Sequence, residues 1–85
     1  MAASMSAVEI RTYLLELVAK ERGGDAAVVD TDVPFDRLGL DSMALLGIVG
    51  DLAERLDTEI DTTLLLEHST IDRLARHLGT DSTPT

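Results

Sequence analysis

Ser42 is the side chain in this sequence best placed to do chemistry. It stands in the run Leu38-Gly39-Leu40-Asp41-Ser42-Met43, after a glycine-containing loop and at the expected first turn of an apolar helix. A hydroxyl held there by rigid backbone is open to another protein's active site, as a nucleophile or as a point of attachment. The nucleophile reading fails on its neighbours. A nucleophile elbow needs glycine two residues either side of the serine, and this chain has Leu40 and Ala44 there. The only histidines are His68, in the turn before the last expected helix, and His77, near that helix's end. An imidazole near a helix C-terminus is welcome for dipole reasons alone, so both read as ordinary residues and no catalytic residue is assigned. Asp30 and Asp32 open like a calcium loop, which needs glycine at its sixth position and glutamate at its twelfth. Phe35 and Asp41 occupy those positions, so no metal ligand is assigned either.

The elements that must hold Ser42 follow from apolar spacing and punctuation. Ser6 with Glu9 makes a capping box, and Ile10, Leu14, Leu17 and Val18 form one helical stripe. Gly23-Gly24 supplies a left-handed stop, which bounds a first helix at about Ala7 to Arg22. Residues 25–41 are a long connection in which Pro34 disfavours helix at Val33, with Val28, Val29, Phe35, Leu38 and Leu40 available to pin it across the core. The second helix spans about Ser42 to Leu56, with Leu45, Ile48, Val49, Leu52 and Leu56 inward and Met43, Leu46, Gly47, Gly50 and Glu54 on the flank or opposite side. Glycine inside a helix costs roughly 1 kcal/mol relative to alanine. A tight intramolecular crossing is the favoured reason for Gly47 and Gly50, ahead of close approach by another protein. A short third helix is expected at Asp61 to Leu66. The last covers about Thr70 to Leu78, with Ser69 as its N-cap, Asp72 in its first turn and Gly79 as its stop. The fold class is all-α, a small four-helix bundle of three main helices and one short helix. Residues 1–6 read as an N-terminal tail, 7–79 as the domain and 80–85 as a disordered tail.

Composition sets the partners. The chain of 85 residues has 16 acids against 7 bases, a formal charge of −9. Phosphate backbones and anionic membranes need clustered Lys and Arg, so neither nucleic acid nor membrane is expected. Basic protein patches are, and the acids around the second helix, Asp51 and Glu54 among them, read equally as a docking face and as a solvated one. No cysteine is present, which excludes a disulfide framework. The N-terminus lacks a signal-peptide pattern. A cytoplasmic monomer is the expectation.

Leu38 to Leu56 resembles the phosphopantetheine attachment region of acyl carrier proteins and carrier domains. Gly39, Asp41 and Ser42 match the family's hallmark, and Met43 replaces its usual leucine. The likeness extends over residues 7–79, through Phe35-Asp36-Arg37-Leu38-Gly39 and the closing Ser69-Thr70-Ile71-Asp72-Arg73-Leu74-Ala75. It implies a non-catalytic carrier. A phosphopantetheinyl transferase moves 4'-phosphopantetheine from coenzyme A onto Ser42, and acyl groups then ride on the arm as thioesters. Asp41 orients the serine or meets the transferase, with N-capping as its structural alternative. Met43, Leu46, Asp51 and Glu54 are the candidate docking residues for acyl-loading and synthase enzymes with basic patches. Within the family the charge resembles acyl more than peptidyl carriers and the closing segment resembles polyketide or mixed-pathway carriers, which implies an acyl carrier of polyketide (or fatty acid-like) biosynthesis. A peptidyl or aminoacyl carrier of a nonribosomal peptide pathway is the alternative, and from another class a cofactor-free acidic helical module.

Overall fold

The computed structural model describes residues 5–24 and 29–79. The expected tail residues 1–4 and 80–85, and the expected anchor Val28, lie outside the described residues. The order is α1 (Ala7–Arg22), a single 3-10 turn (Phe35–Arg37), α2 (Ser42–Leu56), α3 (Thr62–Glu67) and α4 (Ile71–Leu78). No strand occurs among the described residues; a lone antiparallel bridge joins Pro34 to Thr70.

Local chemistry explains the bounds. The Ser6 hydroxyl accepts the Glu9 N–H at 3.1 Å while the Glu9 carboxylate accepts the Ser6 N–H at 3.0 Å. Gly23, at φ 69°, closes α1 in the left-handed region, which glycine enters without a Cβ penalty. α2 keeps its expected limits. α3 starts one residue later than expected, because Asp61 is its cap rather than its first residue; its carboxylate accepts the Leu64 N–H at 3.0 Å. α4 is corrected in the same way. Thr70, not Ser69, is the N-cap and accepts the Arg73 N–H at 3.0 Å. The Ser69 carbonyl is engaged elsewhere, accepting the Phe35 N–H at 2.8 Å from the loop.

One aliphatic core unites these pieces. Ile10, Leu14 and Val18 of α1, Leu52 of α2, and Ile71 and Leu74 of α4 are fully buried. Loop residues Val29, Phe35 and Leu38 join them, and so does Met5, within the segment expected as tail. Leu17 and Leu45 are only half-buried at the edge. α1 packs against both α4 and α2, and Arg55 of α2 lies over the Tyr13 ring at 5.4 Å.

Asp72 ties three elements into a junction. Its carboxylate takes the Arg11 Nε–H at 2.9 Å and the Thr31 hydroxyl at 2.8 Å, and its N–H donates to the Thr31 carbonyl at 3.1 Å. The long loop is thereby fixed at one end to α1 and α4. Gly79 ends α4 in extended conformation, so left-handed freedom is not its reason. A Cβ there would lie 2.6 Å from the Ala7 nitrogen; the start of α1 needs the space.

Candidate functional site

The approach to Ser42 is built by burial on one side and a turn on the other. Leu38 is buried and Leu40 half-buried, so the loop is anchored where it reaches α2. Between them Gly39 sits at φ 81°, a conformation that L side chains rarely adopt. Asp41 is extended and caps α2, its carboxylate accepting the Ala44 N–H at 2.7 Å and its carbonyl the Leu45 N–H at 3.0 Å. The structural alternative for Asp41 is therefore real. Ser42 is the first helical residue and exposed. No hydrogen bond joins its side chain to another described residue. The first N–H groups of a helix have no intrahelical acceptor, and the cap takes only that of Ala44. The N–H groups of Ser42 and Met43 are left facing outward at the positive end of the dipole. A phosphate ester on the Ser42 oxygen fits this donor set without displacing any bond present.

The histidines do not serve Ser42; they stack on each other, ring centroids 4.1 Å apart at 18°. That pairing departs from two unrelated ordinary residues, and no helical periodicity foretells it. Asp30 accepts the Asp32 N–H at 2.9 Å, the local bond of a turn residue.

The expected docking residues separate. Met43 is 83% exposed and Leu46 55%. Leu66 of α3, at 81%, adds an exposed apolar side chain that the sequence reading missed; it hides in the run Leu64-Leu65-Leu66, where Leu65 is buried and Leu64 packs partly against the core. Asp51 lines a groove of about 360 Å³ between α1 and α2 together with Met43, Ala44 and Gly47 of α2 and Leu17, Lys20 and Glu21 of α1. Glu54 instead lines a shallow hollow with Asp57 and Glu59 at the far end of α2. The expected intramolecular crossing at Gly47 and Gly50 is overturned: a Cβ at either would meet nothing within 4 Å. Arg22, the last residue of α1, is a second feature that sequence reasoning missed. Its Nε lies 3.9 Å from where a Gly39 Cβ would stand, so a cation rests against the loop that leads into Ser42.

The family model for the phosphopantetheine attachment site matches residues 12–78. Polyketide synthase PksM of Bacillus subtilis is 38% identical over 67 residues, 79% of this chain but 2% of that protein. The chain thus spans a small fraction of the curated synthase it matches. A free-standing peptidyl carrier protein from Acinetobacter baumannii superposes with a TM-score of 0.77 at 34% identity, covering 86% of this chain and 91% of the other. The acyl carrier protein LipD of Actinoplanes friuliensis gives 0.67 at 36%, covering 92% and 91%.

Proposed function

Because the chain belongs to the phosphopantetheine attachment-site family, whose members carry 4'-phosphopantetheine covalently, we propose that Ser42 is the residue that bears the arm. The observation that carries this assignment is the exposed hydroxyl at the first position of α2, the helix Asp41 caps, with no hydrogen bond to another described residue. In the loading step the Ser42 oxygen attacks the phosphorus next to pantetheine in coenzyme A. A phosphodiester forms, the phosphoanhydride breaks, the nucleotide bisphosphate leaves and the hydroxyl proton passes to a base on the transferase. The arm supplies a terminal thiol that holds cargo as a thioester, which a chain without cysteine cannot offer itself. The protein's own part is to position Ser42 and to raise the effective concentration of tethered cargo at successive enzymes.

The cargo we assign is an acyl intermediate of polyketide-type synthesis, on the likeness to PksM and the acidic surface. Met43, Leu46 and Leu66 form the apolar part of the docking face, and Asp51 and Glu54 lie on its charged margins. Rim charges act chiefly on encounter rate. Domain limits of 7–79 and a cytoplasmic setting belong to the same proposal. The peptidyl alternative rests on one observation, the likeness to the Acinetobacter carrier. The test is direct. Protein incubated with coenzyme A and a promiscuous transferase should gain the mass of one arm, on the peptide containing Ser42. Loaded protein should then accept malonyl from a polyketide acyltransferase; charging only by an amino-acid-adenylating enzyme would favour the alternative. No mass gain would refute the carrier assignment.

A further inference from the structure

Two cations of α1 flank the first turn of α2 in a chain of charge −9. Arg22 lies against Gly39, its Nε 3.9 Å from the position of a Cβ there. Ser42 lies three positions beyond Gly39, a span of at most about 10 Å of chain. Lys20 lines the α1–α2 groove beside Met43 and Ala44, the two residues that follow Ser42. Neither cation is in an ion pair among the described residues, where Arg11 with Asp72 is the one such pair. The groove that Lys20 lines also holds Gly47, which no packing requirement explains. Leu17 and Ile48 give it apolar walls, and the carboxylates of Glu21 and Asp51 line it as well. Asp51 stands about 12 Å along the helix from Met43 at 1.5 Å per residue.

We infer that Lys20 and Arg22 hold the phosphodiester of the Ser42 arm and that the α1–α2 groove receives the arm's apolar pantoyl part over Gly47. This rests on Ser42 being the attachment residue. The two ends of the arm match the groove in kind: an anion meets the cations at the α2 N-terminus, and an uncharged branched segment meets Leu17, Met43 and the bare Gly47 backbone. Basic residues also suit the C-terminus of α1 for dipole reasons, but that role requires neither a groove nor a side-chain-free floor.

The experiment compares isotope-labelled apo and loaded protein by NMR, with loading at Ser42 first verified by intact mass. Loading should shift the Arg22 Nε–H signal and the Gly47 amide, and the arm's geminal methyl protons should show contacts to Leu17 and Met43. In a Lys20→Gln, Arg22→Gln double variant the protein should still load, while the phosphorus line moves and the methyl contacts weaken. Gly47→Leu should remove those contacts and leave the phosphorus line in place. Salt that shortens the Debye length to about 3 Å should mimic the double variant. Unmoved Arg22 and Gly47 signals, or an identical phosphorus line in wild type and double variant, would overturn the inference and leave the cations as caps of α1. Methyl contacts to Leu45 or Leu66 instead would overturn it by placing the arm on the α3 side. A protein that gains no mass would bring down the attachment assignment itself, a separate outcome.

Discussion

The junction of α1, α4 and the long loop and the outward face of α2 are built on opposite terms. At the junction every group has a partner: Asp72 is bonded to Arg11 and Thr31, Ile71 and Leu74 are sealed, and Gly79 admits the Ala7 backbone. On the α2 face Met43 and Leu46 are bare, the Ser42 side chain bonds to no other described residue, and Gly47 and Gly50 leave open space. The contrast separates holding the fold from presenting a surface. In a domain of this size, stability has little to spare, so groups left unpartnered on one helix face call for an explanation outside the folded chain. The proposed carrier role supplies it, since in that role the face meets a transferase and the synthase enzymes in turn.

Substitutions on the two sides should therefore differ in sign as well as size. Leu74→Ala at the junction removes a fully buried side chain and should cost about 2–5 kcal/mol, read as a lower denaturation midpoint with unchanged slope. A loss well below that range would mean the junction is not the centre of the core. Gly79→Ala forces a Cβ against backbone and should cost about 1–3 kcal/mol by overpacking. Gly47→Ala meets open space and should instead stabilise by about 0.4–1 kcal/mol, visible as a higher melting temperature. If Gly47→Ala destabilised the fold, the α2 face would be part of the packing and the contrast would fail.

The same contrast decides what the sequence made legible. The bounds of α1 were readable, because the Ser6–Glu9 box and the Gly23 stop each bond only to residues a few positions away. α2 was readable for the same reason, as Asp41 precedes a clean apolar period. The α4 cap was not: Ser69 and Thr70 are adjacent hydroxyls of equal merit, and the choice falls to Thr70 with the Phe35–Ser69 bond from the distant loop. Gly79 and Gly47 look alike as letters. One borders Ala7 and the other borders solvent, a difference only the folded chain contains. The motif marked Ser42 as the candidate, while the positions of Arg22 beside Gly39 and of exposed Leu66 on α3 depend on the folded chain.

The most direct measurement pairs loading with stability in one substitution. Ser42→Ala should abolish the mass gain from coenzyme A and transferase completely while leaving helicity and melting temperature close to wild type, since the α2 cap belongs to Asp41. An arm that still attaches to the variant, or a variant that loses the fold along with loading, would contradict the assignment of Ser42 as a solvent-facing anchor.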